Sequence, residues 1–288
     1  MQTNRFSRGS RFGVGAATAA AALILGTGAL LAATGTGQPA PWQIGMQTAV
    51  TPIADEIHSF HTWLLWIITI ITVFVAGLLA WCILKFNEKA NPTPSRTTHH
   101  TMLEVAWTIV PVLILVLIAI PSFRLLRNQL ILPPTAMTIK AIGHAWYWEY
   151  EYAGATPETG FKFDSNLVEE ADLKPGQPRL LTVDNEMVVP IGKNVRVQTT
   201  AADVIHSYTV PSFGIKVDAV PGRLNETWFR AEREGVYHGQ CSELCGQRHA
   251  FMPITVRVVS EQAYAAWVDD AKKKYASTGP APRYADAR

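Results

Sequence analysis

Three uncharged apolar runs lie near the N-terminus, and about 160 residues of short alternating apolar and polar segments follow them. The first run, Val14 to Ala33, comes after Arg5, Arg8 and Arg11 with no acidic residue before it. That pattern reads as a secretory signal peptide over residues 1–36, with cleavage among the small residues after Leu31. A retained transmembrane helix is the competing reading. A mitochondrial presequence would be amphipathic, and this run has no polar face.

The other two runs are longer and cleaner. Thr62 to Leu84 gives 23 residues without a charge and Val105 to Phe123 gives 19. About 20 apolar residues cross a bilayer core, so the pattern predicts a transmembrane hairpin within residues 45–128. Pro111 and Pro121 fall inside the second span, which membrane helices tolerate when neighbours satisfy the freed carbonyls. Trp63, Trp66, Trp81 and Trp107 suit the interfacial belts. Lys85, Lys89 and Arg96 lie between the spans and place that loop in the cytoplasm, although Arg124 and Arg127 oppose the signal. A cleaved signal peptide gives the same topology, with the C-terminal part outside.

From Thr135 the pattern turns to short strands, expected at 135–142, 144–152, 179–184, 194–200, 204–210, 224–230 and 253–259. Turn sequences such as "LKPGQPR" and "VPGRLNE" separate them. Such punctuation predicts a sandwich or Greek-key barrel over residues 130–260. Residues 261–276 have helical amphipathic spacing, and the last ten residues, rich in Gly, Pro and Ala, read as disordered tail within a 261–288 segment.

Composition changes one thing. Charged residues make up 17% of the chain, against about 25% in soluble domains, and the deficit sits in the apolar runs. This excludes a purely soluble enzyme, and the long polar part excludes a carrier embedded mostly in lipid. The net charge of +2 is misleading, because between Leu130 and Ser260 there are 15 acidic against 12 basic residues, a balance of −3. Nucleic-acid binding needs a basic patch on the folded part, so no nucleic-acid partner is expected and a cationic partner fits better.

The chemistry concentrates in "GQCSELCGQRHAFM", Gly239 to Met252. Cys241, Cys245, His249 and Met252 form a soft donor set, which favours copper over hard cations. A mononuclear blue-copper site takes two His, one Cys and a weak axial Met. His206 is the natural second histidine, and Cys241 is then surplus unless two ions are bridged. A disulfide between Cys241 and Cys245 is open outside the cell, and a Cys2His2 zinc site is a further alternative, although structural zinc rarely recruits Met. Cys82, in an apolar run, reads as a buried small hydrophobe.

"GQCSELCGQRHAFMP", "DVIHSYTVPSFGIKVDAVPGR" (203–223) and "GHAWYWEYEY" (143–152), in this order behind two spans, resemble subunit II of haem–copper cytochrome c oxidases over about residues 45–276. The resemblance implies a two-helix transmembrane hairpin followed by an all-β cupredoxin-like Greek-key domain. It implies a binuclear CuA centre of two copper ions, bridged by Cys241 and Cys245, with one histidine (His206 or His249) on each. Met252 and the Glu243 carbonyl are then the weak outer ligands, and the Glu243 side chain shares a magnesium ion with subunit I. Two bridging thiolates spread an added electron over both metals, and no coordination position is left for a substrate. Such a centre relays electrons and does not bind oxygen.

The same resemblance makes Trp146 the residue through which electrons arrive from cytochrome c. It places Glu104 at the mouth of a proton path of subunit I; a helix-capping carboxylate is the plainer reading. Glu151, Glu158, Asp184 and Asp203 become candidates for docking the lysine-rich face of cytochrome c. The partners implied are subunit I, the other oxidase subunits, cytochrome c and the membrane, and the location is a bacterial inner membrane with the CuA domain on the periplasmic side. Tyr208, where the family usually has Trp, and Ala145, where a long polar residue is frequent, depart from the pattern without touching a ligand. Two alternatives stand beside this: a quinol oxidase subunit, which would lack the copper ligands, and a membrane-tethered copper carrier. No C-x-x-C-H sequence occurs, so a fused cytochrome c domain is not expected.

Overall fold

The computed structural model describes residues 37–153 and 160–275. The expected signal peptide, the docking candidate Glu158 and the tail after residue 275 lie outside the described residues.

Two long helices come first. Helix α1, Pro52–Lys85, starts where Thr51 turns extended and its hydroxyl accepts the Ala54 amide at 3.1 Å, with Pro52 at the first helical position. Helix α2, Thr101–Leu130, is capped by His100 Nδ1, which accepts the Leu103 amide at 3.2 Å, and it runs through both Pro111 and Pro121. Each helix contains an 18-residue window with mean hydropathy of 2.7 or 2.6 and no side chain buried against the rest of the protein. The helices outrun the charge-free runs because their polar ends stay helical under these caps. On the outer side, Glu56 of α1 accepts two hydrogen bonds from Asn128 of α2, which ties the hairpin together above the apolar zone.

The rest is a β domain with a mixed five-stranded sheet. Its strands are β1 (Met137–His144), β2 (Tyr147–Tyr152), β3 (Phe161–Ser165), β5 (Asn194–Ala201) and β8 (Asn225–Arg230), in the order β3-β2-β1-β5-β8. A second sheet has the order β4-β10-β9, from β4 (Met187–Pro190), β9 (Gly235–Gln240) and β10 (Pro253–Val259). Strands β6 (His206–Val210) and β7 (Ile215–Ala219) form a separate ribbon. The β1–β5 and β4–β10 pairs are parallel, so the chain crosses between layers as a key topology demands. Period-two alternation is clearest in β3, where Phe161, Phe163 and Ser165 are buried and Lys162 and Asp164 are not. The core gathers Ile139, Trp148, Tyr150, Val197, Tyr208, Phe229 and Ile254 from all three sets of strands.

Four strands, β3, β4, β7 and β9, are absent from the sequence expectation; each contains or adjoins Gly or Pro. The strand expected at 179–184 is instead a turn: Pro178 accepts from the Leu181 amide and from the Thr182 hydroxyl, and only Val183 bridges to Leu167. Helix α3, Glu261–Lys274, is capped by Ser260, and its Trp267 packs on Tyr152 and Phe161.

The hairpin is bolted to the domain. The Thr51 hydroxyl that caps α1 also donates to the Phe213 carbonyl at 2.8 Å, and the Val50 amide donates to the Ser212 carbonyl at 3.0 Å. Ile53 and Ala54 are buried there.

Candidate metal centre

Strand β9 ends at Gln240 and delivers Cys241 into the loop that leads to β10. The loop is closed at its neck by the Cys241 amide donating to the Met252 carbonyl at 3.3 Å. A one-turn 3-10 helix, His249–Phe251, folds the far side of the loop back. The Ser242 amide donates to the Ser207 carbonyl at 3.0 Å, so the loop is laid against β6, whose first residue is His206. Residues far apart in the chain therefore converge.

The donors lie close. Cys241 Sγ is 3.9 Å from Cys245 Sγ and 3.9 Å from His206 Nδ1. Cys245 Sγ is 3.5 Å from His249 Nδ1 and 3.6 Å from Met252 Sδ. The Glu243 carbonyl is 3.4 Å from Cys241 Sγ. Both cysteines are free thiols, buried with His206 and Met252. With metal bonds of zinc-like length, about 2.0 Å to imidazole and 2.3 Å to sulfur, two ligands on one tetrahedral ion lie roughly 3.5–3.8 Å apart. The spacings match that figure on both sides of the cysteine pair. All the side-chain donors are soft or borderline, which suits copper and not an oxygen-seeking cation.

The donors gather around the two sulfurs without separating into sets: His206, Cys241 and Cys245 offer ligand atoms that all lie within 4.8 Å of one another, and His249, 3.5 Å from Cys245 Sγ, also bonds to Cys241. Burial opposes ionisation of Cys241, but hydrogen bonds with His206, the Glu243 and Ser207 backbone and His249 together outweigh it and bring the thiol to about 6. Burial, then the charge on Cys241, pushes Cys245 up to about 12. A bound cation removes that conflict, because a coordinating thiol is deprotonated outright.

His206 is held from behind. Its Nε2 is 2.9 Å from the Asp203 carboxylate, which also accepts the amides of Val204 and, at 2.7 Å, of Ala145. Burial raises the Asp203 carboxyl, yet the His206 hydrogen bond and the two amides hold it below the usual range. Burial likewise pulls the imidazole down, and the Cys241 thiol and Asp203 together turn the balance upward. The carboxylate fixes Nε2 as the proton-bearing nitrogen and leaves Nδ1 facing the sulfurs, the usual arrangement behind a metal-binding imidazole. Gly143 of β1 lies against the ring: a Cβ there would stand 2.7 Å from His206 Cδ2.

Trp146, in the β1–β2 turn, reaches the loop directly. Its indole Nε1 donates to the Cys245 carbonyl at 3.2 Å, and Gly246, at φ +123°, leaves room for the ring. Trp148 is fully buried, edge-on to His206 and Tyr208.

The remaining expected site residues lie elsewhere. Glu104 is at the opposite end of the hairpin, where its carboxylate accepts the His100 amide at 3.3 Å and completes the α2 cap. Of the four docking candidates, Glu151, Asp184 and Asp203 lie among the described residues. Glu151 is only 8% exposed and pairs with Lys140 at 3.2 Å. It stands in register between Lys140 of β1 and Lys162 of β3, so its charge is neutralised and covered rather than presented. Asp184 accepts from the amide and side chain of Asn166. Asp203 is partly exposed but engaged with His206. Sequence reading missed that role of Asp203, whose spacing three residues before His206 was the available signal. It also missed Glu149 and Asp164, which face each other across β2 and β3. Burial and then Glu149 raise the Asp164 carboxyl, and Tyr147 beside them is raised by burial and by Asp164, Glu149 and Asp203.

Two family models match the chain: the periplasmic domain of cytochrome c oxidase subunit II over residues 137–259, and the transmembrane domain of the same subunit over residues 39–125. The cytochrome c oxidase subunit 2 of Cereibacter sphaeroides is 47% identical over 279 residues, covering 90% of this chain and 91% of its own. That of Zea mays is 50% identical over 233 residues, covering 80% of this chain and 90% of its own. A crystal structure of the periplasmic domain of subunit II from Bradyrhizobium japonicum is 54% identical, covers 50% of this chain and 99% of its own, and has a TM-score of 0.46.

Proposed function

The chain belongs to the cytochrome c oxidase subunit II family, and on that premise we propose that it takes electrons from cytochrome c at a two-copper centre and passes them to the haem of subunit I. The observation that carries this reading is the paired donor set around two free, buried thiols 3.9 Å apart. Cys241 and Cys245 would be shared by the two coppers, with one histidine (His206 or His249) on each, and Met252 and the Glu243 carbonyl would be the weak outer ligands. Two such ions supply one-electron storage with little change of geometry. A membrane-tethered copper carrier is the weaker reading, since a carrier must release its ion and these donors are buried and braced.

The protein's own part is to fix the donors and to bring the donor molecule close. Trp146 touches both solvent and the Cys245 carbonyl, so it offers a short covalent and hydrogen-bonded path into the loop. Asp164, Glu149 and Asp203 act on Tyr147, the next residue in the chain. Like charges directly opposed across strands are unfavourable, and Glu149 with Asp164 keep that arrangement, eased by Lys162 at 3.3 Å from Glu149. A negative face beside Trp146 would steer a cationic partner. Asp203 stays in this docking proposal, and Asp184 is a more distant contributor.

The chain is a two-pass membrane protein with its β domain outside, and a bacterial inner membrane is the proposed setting. Magnesium takes about six oxygen ligands; the exposed Glu243 carboxylate would give one, and others would come from subunit I. Glu104 would serve proton uptake only as a second task beyond its cap.

The deciding experiment is metal analysis with electron paramagnetic resonance on the oxidase. Two coppers per chain in this subunit, with an unpaired electron shared over both nuclei, is the expected result. One copper, or zinc, in the wild-type centre would overturn the reading.

A further inference from the structure

The segment that leads into α1 presents its apolar side chains outward. Trp42 is 93% exposed, Ile44 87% and Met46 42%. Exposed apolar residues in the spans face lipid, but these three lie before Pro52, on the domain side. Trp42 also sits at φ +59°, in the left-handed region where a bulky residue is strained. A strained, exposed aromatic needs a structural cause or a use.

The loop is built to hold that shape. The Gln43 amide donates to the Ala40 carbonyl at 3.2 Å. The Gln43 side chain accepts the Ala40 amide at 3.0 Å and donates to the Met46 carbonyl at 2.7 Å. One side chain thus closes residues 40–46 at both ends, with Trp42 and Ile44 on the outside. The flanks are fastened to the domain: the His238 amide donates to the Gly37 carbonyl at 2.7 Å, and the Ser212 hydroxyl donates to Gln47 at 3.1 Å. Pro39 and Gln47, just outside the two ends, line a cavity of about 220 Å³ together with Gln240, Cys241 and Ser242. The loop therefore rises from the rim of the metal loop, on which Leu244 is itself 80% exposed.

Both flanks of the loop are bonded to the β domain and not to the spans, so its apolar side chains are held in place relative to the metal loop they rise beside. The metal loop beside it must come close to an electron acceptor in another subunit. We propose that residues 40–46 are a preformed docking loop. Trp42 and Ile44 would insert into an apolar recess of the haem-bearing oxidase subunit and seat the metal loop on it.

This rests on the relay reading above, so the test separates the two. In the assembled oxidase, Trp42→Ala and Gln43→Ala should leave copper content and reduction by cytochrome c unchanged. Electron transfer from the reduced copper centre to haem should slow about tenfold, and the subunit should dissociate about tenfold more readily in detergent, as for a truncated interface anchor. Trp42→Phe should restore most of both. A photo-cross-linking residue at position 44 should join this chain to the haem-bearing subunit. Adducts with phospholipid alone, or unchanged transfer and retention in both variants, would overturn the docking loop. Absent copper in the wild type would instead overturn the relay.

Discussion

The two histidines of the candidate centre are held in different ways. His206 opens a β-strand, has no exposed surface, rests on Gly143 and is gripped at Nε2 by Asp203. His249 sits in a single 3-10 turn of the loop and is half-buried; its amide donates to the Gly246 carbonyl at 3.2 Å, and its ring bonds to Cys241 and stands 3.5 Å from Cys245 Sγ. One histidine is thus part of the sheet scaffold, and the other is held by the loop alone. The scaffold histidine should define geometry and potential. The loop histidine should tolerate change and exchange.

The largest effect tests that division directly. His206→Gly and His249→Gly should each lose the two-copper signal, but millimolar imidazole should restore it only in the second variant. The vacated His249 position opens to solvent, whereas that of His206 is closed behind strands. Absorption and paramagnetic resonance during an imidazole titration give the answer. Equal rescue at both positions would erase the distinction.

Asp203→Asn should come next. It keeps a side-chain oxygen for the Ala145 amide but removes the negative charge behind His206. Losing such an outer partner costs about 10–100-fold in metal affinity. With less electron density on the imidazole, the oxidised centre is less stabilised and the reduction potential should rise. The same change should also weaken the salt dependence of electron transfer from cytochrome c. Competition with a copper chelator and a redox titration measure the first two effects. An unchanged potential would make Asp203 a docking residue only.

Much of this was legible in the chain, and the failures have physical causes. The spans and the candidate donors of one loop could be read from Thr62–Leu84, Val105–Phe123 and residues 239–252, because a bilayer thickness and a contiguous donor run are local properties. The surroundings of the docking carboxylates could not. Glu149 and Glu151 look alike in sequence, and only strand register shows that Lys140 and Lys162 flank Glu151 on both sides. The Asp203–His206 bond escaped notice for a similar reason: the three-residue spacing permits it, and the turn that brings residue 203 back to the ring completes it. Short strands such as Met187–Pro190 owe their form to pairing partners far away in the chain.

A smaller effect belongs to Gly143→Ala. The added Cβ meets the His206 ring and has no flexible neighbour to displace. Overpacking of this kind costs about 1–3 kcal/mol. Thermal unfolding of the copper-loaded chain should fall accordingly, and the hyperfine couplings of His206 should shift while those of His249 stay put. Equal shifts at both histidines would mean that the two are mechanically joined.

The smallest effect is expected at Met252→Leu, in the metal loop. Met252 is 1% exposed, and its carbonyl also closes the loop neck through the Cys241 amide and accepts the Trp148 indole at 3.4 Å. Those backbone bonds survive the substitution, and swaps of nearly equal volume usually cost under about 1.5 kcal/mol. A thioether in the outer position tunes a copper ion more than it holds one. Both coppers should therefore stay bound, with a changed potential and a less even sharing of the unpaired electron, because only one of the two loses a ligand. Metal content, a redox titration and the copper hyperfine pattern report these separately. Loss of copper would show that the centre depends on Met252 as His206 depends on Asp203.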